Sequence, residues 1–267
     1  MAQGVAELLP RAQRELEREL GLELRGPATA VLCGSTETFR RATPGIDHRH
    51  TLGVAFPERK VMFLNCQAIE QRANESLAIT LRHELSHLIV GEVARRGHRR
   101  VPLWFDEGVA VWSSGKVALY DVRDFDRAVA AGALRPLADL EDRFPLDPVE
   151  RGIAYEQSES FVRYVVHRDG PEAIRRILGE AAEGVDFEAA AEHATGVGLE
   201  RLEAMWLDAI RPRWPWVSWL LNTVSLFGAM SFFAVFAFWI YLRRRRQKYE
   251  EWEAEESQFG EGDRRWR

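Results

Sequence analysis

The chain of 267 residues contains only two cysteines, Cys33 and Cys66. Two thiols cannot form the dense disulfide framework of small secreted domains, nor can they supply a four-cysteine zinc site. A single Cys33–Cys66 bridge and two separate buried thiols are both open readings. Any four-ligand metal site in this chain must therefore include other side chains.

An excess of basic residues is also missing. The chain carries 36 Lys and Arg against 41 Asp and Glu, a formal net charge of -5. This balance gives no electrostatic basis for binding nucleic acid. Apolar residues make up 46% and charged residues 29% of the chain, which is ordinary for a globular protein with a core. We expect a folded domain with no nucleic-acid partner.

The first twenty residues contain no apolar run and cannot act as a secretory signal. Such a run occurs instead at residues 217–242, where 26 residues without a charge are flanked by tryptophan and tyrosine. This length and these flanks predict one transmembrane helix, and hence a single-pass protein with the lipid bilayer as a partner.

Basic residues at 243–246 follow the apolar run directly. The positive-inside rule therefore places a charged tail, 243–267, in the cytoplasm and the domain 1–211 outside it. The missing signal leaves two arrangements open: a leader upstream of residue 1 with the domain outside, or a tail-anchored protein whose domain is cytoplasmic. The tight arginine cluster favours the first arrangement.

Strand patterns occur early in the chain and helix patterns late. Residues 28–34 read as a buried strand and 53–65 as a hairpin around a Pro-Glu-Arg-Lys turn. We predict helices over 2–20, from the N-cap Ser35 to before Pro44, from the cap Asn74 to Gly91, from Pro102 to Gly115, and near 121–131, 152–168, 171–180 and 185–210, the last broken at 195–198. In the helix from Asn74, the spacing of Leu77, Leu81, Leu85 and Leu88 predicts a core-facing stripe. The absence of strand–helix alternation indicates an α+β fold rather than a parallel sheet, with a small N-terminal sheet and a helical C-terminal part.

The stretch "LRHELSHLIV" at 81–90 places two histidines four residues apart on a predicted helix. Residues four apart share one helix face, so His83 and His87 can occupy two corners of a tetrahedral zinc site. Glu84 is rotated by about 100° from His83. There its carboxylate can take a proton from a zinc-activated water, as hydrolysis requires.

Catalytic zinc needs a third protein ligand and an open fourth position. The next predicted helix offers Glu107 in "PLWFDEGVAVW", twenty residues after His87. "HELSH" followed by "WFDEG" resembles the gluzincin class of zinc metallopeptidases, most closely the peptidase MA-like group. The resemblance extends over roughly residues 28–210, but only these two motifs are sharp. It implies a zincin-like fold, His83, His87 and Glu107 as Zn²⁺ ligands, and Glu84 as the general base.

The resemblance also suggests residues around the metal. Tyr155, in a later helix that is similar to one in these peptidases, is the best candidate donor to the oxyanion, although a half-buried packing role is equally compatible. Asp106 either orients a ligand histidine or faces solvent. Val111 stands where some gluzincins place an orienting aspartate. His48 and His50 could bind metal or line a cleft, but an exposed loop is favoured.

We therefore expect a membrane-anchored zinc metallopeptidase that acts on a peptide or protein. The alternative is a catalytically inactive zincin-fold module, tethered to the membrane as a binding or assembly partner. Glu84 argues against this alternative, because a purely structural zinc needs no general base. No amine-recognition stretch of the Gly-x-Met-x-Asn type is visible, so the sequence does not specify amino-, endo- or carboxypeptidase action.

Overall fold

The computed structural model describes residues 2–46, 51–71, 77–115 and 122–211, together with residues 231, 235, 236, 238 and 239. Residues Met1–Arg211 form one compact unit and Pro212–Arg267 a second. The predicted transmembrane segment 217–242 and tail 243–267 lie almost wholly outside the described residues. Among the helices that the described residues form, none is long and apolar enough to cross a membrane.

A three-stranded sheet forms the N-terminal part, in the order β1-β3-β2. Its strands are β1 (Thr29–Cys33), β2 (Gly53–Phe56) and β3 (Val61–Asn65). The predicted hairpin is present: β2 and β3 are antiparallel, with Phe56 opposite Val61, and a 3₁₀ turn at Pro57–Arg59 joins them. One pairing differs from the expectation of a sheet without parallel strands, because β1 runs parallel to β3.

The helices of the described residues follow the predicted pattern closely. They are α1 (Ala2–Leu20), α2 (Thr36–Ala42), α3 (Cys66–Glu70), α4 (Leu77–Val90), α5 (Glu92–Gly97), α6 (Leu103–Ser114), α7 (Val122–Ala131), α8 (Pro148–Asp169), α9 (Pro171–Ala182), α10 (Phe187–Thr195) and α11 (Leu199–Ile210). The sequence did not predict α3 or α5. The predicted cap Asn74 lies outside the described residues.

Caps define several of these helix ends. Ser35 accepts a hydrogen bond from the backbone N–H of Thr38 at the start of α2. Asp147 accepts from two backbone N–H groups of the first turn of α8, where Pro148 occupies the first helical position. Gly115 ends α6 with φ 69°, a left-handed conformation that favours glycine.

The central helix α4 is enclosed by α1, α6 and the sheet. Of the predicted leucine stripe, Leu81, Leu85 and Leu88 are fully buried, whereas Leu77 at the start of the helix is partly buried. Residues on the other faces of α4, including Thr80 and Ser86, are buried as well. The helix therefore lies inside the domain, and its polar face is turned toward the candidate site rather than toward open solvent.

Helix α6 packs between α4 and α8. Its buried face is held by edge-to-face aromatic contacts, with Trp104 at 5.2 Å from Phe161 and Phe105 at 4.9 Å from Phe187, measured between ring centroids. Gly108 allows the close approach to α8, because a Cβ there would lie 2.5 Å from the backbone oxygen of Ser158. These contacts fix the position of the adjacent Glu107.

Both cysteines are buried as free thiols. Burial raises the pKa of each thiol above its usual value. Of the two readings that the sequence left open, the structure contains the unbridged pair.

Candidate metal centre

Two imidazoles of α4 meet at the face of the helix that looks toward α6. The Nε2 atoms of His83 and His87 lie 3.3 Å apart, and the rings stand edge to face with centroids 4.9 Å apart. Only 10% of the His83 side chain and 12% of the His87 side chain are exposed. The one-turn spacing therefore brings two nitrogen donors to one point inside the domain.

Glu107 of α6 supplies a third donor atom at the same point. Its Oε2 lies 3.7 Å from His83 Nε2 and 3.6 Å from His87 Nε2. The three donor atoms thus form a nearly equilateral triangle. Within the described residues, one group has ligand atoms close enough together to hold a metal ion: His83, His87 and Glu107.

This triangle fits zinc. Zinc bonds to imidazole nitrogen and carboxylate oxygen are about 2.0–2.2 Å long, so two corners of a regular tetrahedron lie about 3.3–3.6 Å apart. The three observed separations, 3.3, 3.6 and 3.7 Å, fall at or just beyond that range. Two imidazoles and one carboxylate also form a donor set that leaves one tetrahedral position for water or substrate.

Asp106 orients His87 from behind. Its Oδ1 lies 2.9 Å from His87 Nδ1, on the side of the ring opposite Nε2. A proton on Nδ1 that is donated to this carboxylate leaves Nε2 available as a ligand. The sequence left open whether Asp106 faces solvent or orients a histidine; the structure places it against His87. Val111, where some gluzincins carry the orienting acid, is a buried apolar residue.

The carboxylates around His87 determine its charge in the metal-free protein. Burial alone would lower its pKa, but the negative charges of Asp106 and Glu107 and the hydrogen bond to Asp106 outweigh burial and raise the pKa to about 10. The same electrostatic environment that favours a proton on this ring favours a divalent cation beside it.

Glu84 directly follows His83 and its negative charge is among those that raise the pKa of His87, but it does not belong to the triangle. The residue is 6% exposed. The edge of the sheet touches its carboxyl group: a Cβ built on Gly53 of β2 would lie 2.6 Å from Glu84 Cγ and 2.7 Å from Oε1. The motif in the sequence suggested a role for Glu84 but did not reveal this neighbour.

Tyr155 of α8 completes the group of predicted residues. Its hydroxyl lies 3.5 Å from Glu107 Oε1, at the long end of hydrogen-bonding distance. Its ring packs edge to face against Phe144, with centroids 4.9 Å apart. Both readings of Tyr155, as a donor at the site and as a packing residue, are compatible with this geometry, and its catalytic role stays a prediction.

Arg82 stabilises the surroundings of the site, and no motif in the sequence marks it. Its guanidinium contacts Glu15 at 3.0 Å and Glu19 at 2.9 Å on α1, and it donates to the backbone oxygen of Ser113 at the end of α6. Arg82 directly precedes His83, so this network ties three helices together next to the ligand pair.

Among the described histidines, only His83 and His87 belong to the group that could hold a metal ion. His48 and His50 lie outside the described residues. His98 follows α5 in a left-handed conformation, and His193 pairs with Glu180 at 2.6 Å.

Comparison with known proteins gives one family match. A family model described as the Peptidase MA superfamily matches residues 11–212. No curated protein shows significant similarity to the chain. The matched range contains His83, Glu84, His87, Glu107 and Tyr155.

Proposed function

The chain belongs to the Peptidase MA superfamily, and on that premise we propose that it is a zinc metallopeptidase that hydrolyses peptide bonds. Its domain is metallopeptidase-like, and the superfamily is typically zinc-dependent. The observation that carries the proposal is the triangle of His83 Nε2, His87 Nε2 and Glu107 Oε2, with sides that match tetrahedral zinc.

In this proposal His83, His87 and Glu107 hold the ion, and Asp106 keeps His87 in the tautomer that presents Nε2. When bound, zinc supplies a Lewis acid that polarises the scissile carbonyl and lowers the pKa of water. The three side chains hold these positions without large rearrangement, because α4 and α6 are both fixed by buried packing.

Glu84 is the proposed general base. Glu84 directly follows His83, its charge acts on His87, it is largely shielded from solvent, and it does not belong to the group that could hold the metal. A carboxylate in this place can accept a proton from the attacking water and return it to the leaving amine. Tyr155 is the proposed donor to the oxyanion that develops on the carbonyl oxygen, supported by the position of its hydroxyl near Glu107.

The sheet edge beside Glu84 supports a peptide or protein as the substrate. β2 stands at one edge of the sheet, with β3 as its partner within the described residues. An extended peptide can pair with such an edge through backbone hydrogen bonds. Contact between Gly53 and Glu84 means that a peptide bound there would lie next to the proposed base.

We also propose that residues 217–242 anchor the domain in a membrane, with the domain outside the cytoplasm and the tail 243–267 inside. This proposal depends on the sequence alone: a 26-residue uncharged segment followed by an arginine cluster. Carbonate extraction of membranes tests the anchor, and protease accessibility in intact cells tests its orientation. Release of the chain by carbonate would contradict the proposed anchor.

Metal analysis and one substitution test the enzymatic proposal. We expect one zinc per full-length chain, and loss of that zinc in His83→Ala. Glu84→Gln should keep the zinc and lose hydrolysis of a casein or mixed-peptide substrate. A wild-type chain without stoichiometric zinc would contradict the proposal. Bound zinc without hydrolysis in either wild type or Glu84→Gln would instead favour the inactive binding module.

A further inference from the structure

We infer that Gly53 is a positioning residue for the general base: its missing side chain leaves the space in which the Glu84 carboxyl group lies. This inference rests on the proposed role of Glu84. Gly53 opens strand β2, and its Cα faces the carboxyl group closely enough that a methyl group cannot fit between them.

The atoms that a side chain at Gly53 would meet first all belong to the proposed base. The three atoms nearest to a Cβ at this position are Glu84 Cγ at 2.6 Å, Oε1 at 2.7 Å and Cδ at 2.8 Å. Real Cβ atoms essentially never approach other heavy atoms so closely. Adding a methyl group must therefore displace the carboxyl group or the strand.

Other close glycines of the domain show a different pattern. At Gly91 the nearest atoms belong to Pro57 and the backbone of α4, and at Gly108 they belong to Ser158 and Val162 of α8. These two glycines allow structural elements to pack closely. Gly53 allows a catalytic side chain to pack closely against a strand.

The strand is the less mobile partner in this contact. Gly53 is paired with Leu64 of β3, and the next residue, Val54, is paired with Phe63. The Glu84 side chain has three rotatable bonds and can move, but it is 6% exposed and its surroundings restrict where it can go. A methyl group at position 53 should therefore move the carboxylate away from the position that proton transfer requires.

The backbone at Gly53 would itself accept alanine. Its φ lies outside the left-handed region, and alanine in a strand is no less favourable than glycine. Any destabilisation by Gly53→Ala must then come from the overlap with Glu84. This separates a positioning role from a general weakness of the strand.

A double-mutant cycle on the metal-free full-length chain tests the contact without depending on activity. Gly53→Ala should lower the melting temperature by about 2–4 °C, the low end of the overpacking range, because the overlapping atoms belong to the end of a side chain that can shift. In the Glu84→Ala background the same change should leave the melting temperature unchanged or raise it, since all three overlapping atoms are gone. Gly34→Ala is the matched control, because a Cβ at Gly34, which follows β1, meets nothing within 4 Å.

Kinetics then test the consequence for the site. Gly53→Ala should retain the wild-type zinc content and lower kcat at least tenfold with a smaller change in KM. An equal melting shift in the wild-type and Glu84→Ala backgrounds would overturn the contact, and an unchanged kcat would overturn the positioning role. If wild type bound zinc and Glu84→Gln were inactive while Gly53→Ala matched wild type, this inference alone would fail. A chain without any peptidase activity would refute the proposed function. The contact between Gly53 and Glu84 would then be tested by the melting temperatures of the double-mutant cycle.

Discussion

Replacing Asp106 with asparagine should weaken zinc binding while preserving the shape of the site. In the wild type, His87 Nδ1 lies 2.9 Å from the Asp106 carboxylate. Asparagine keeps an oxygen that can accept the hydrogen bond from His87 Nδ1, but it removes the negative charge. Loss of such an orienting partner typically costs 10–100-fold in metal affinity. We expect a loss in that range, measured by competition with a chromophoric chelator at fixed pH.

The same substitution should change the stability of the metal-free protein in a pH-dependent way. The pKa of His87 is raised from 6.5 to about 10; burial opposes this rise, and the charge of Asp106 is its largest favourable cause. Because the pKa of His87 is higher in the folded than in the unfolded protein, its protonation contributes its full stabilisation at pH values below the unfolded pKa. This stabilisation is lost as the pH rises through about 10. A shift of this size corresponds to at most about 5 kcal/mol, shared among the neighbouring carboxylates.

We therefore expect Asp106→Asn to destabilise the metal-free chain by about 1–3 kcal/mol near pH 6 and by much less above pH 10. Denaturant unfolding at both pH values measures this difference. Asp208→Asn on α11 is the control, because it removes one negative charge from a side chain that is 81% exposed. Equal zinc affinity in Asp106→Asn and wild type, or a stability loss that is independent of pH, would refute this account of Asp106.

Three further predictions concern neighbouring groups. Zinc binding near pH 7 should release about one proton per chain, because His87, with a pKa of about 10, is protonated in the metal-free protein. Calorimetry in two buffers of different ionisation enthalpy measures the proton release, and binding heats that do not depend on the buffer would contradict the prediction. Gly108→Ala should destabilise the chain by about 1–3 kcal/mol and weaken zinc binding, since a methyl group would lie 2.5 Å from the backbone oxygen of Ser158. Denaturant unfolding measures the loss of stability, and an unchanged unfolding midpoint would rule out the close approach of α6 and α8. Tyr155→Phe should keep the packing on Phe144 and the zinc, yet lower kcat by about 10–1,000-fold; a rate equal to wild type would restrict Tyr155 to packing.

Local patterns in the sequence were sufficient to predict most elements. Ser35 and Gly115 mark helix ends through capping and left-handed backbone geometry, and both act in the structure as predicted. The leucine spacing on α4 correctly predicted its most buried residues. These signals depend on neighbours within a few residues, so the sequence contains them directly.

Features that depend on tertiary contacts could not be predicted in the same way. The parallel pairing of β1 with β3 depends on how α2 and β2 are placed between them. The short helix α5 follows Gly91, whose missing side chain accommodates Pro57 from the hairpin turn. Neither contact has a local sequence signature.

In the candidate site too, local features follow from the sequence and features that depend on tertiary contacts do not. The spacing of His83 and His87 predicts their common face because both belong to one helix. The direction of Asp106 depends on how α6 is rotated against α4, which the aromatic packing of Trp104 and Phe105 sets. The contact of Gly53 with Glu84 joins residues that are distant in sequence, although a glycine at the start of a strand is a known sign of close approach.

X-ray absorption at the zinc edge of the zinc-loaded, full-length chain tests the central claim most directly. The account predicts two imidazole nitrogens and oxygen ligands at about 2.0–2.2 Å, with no sulfur. Sulfur scattering at about 2.3 Å, which only Cys33, Cys66 or a methionine could supply, would contradict it. So would a shell of oxygen atoms alone.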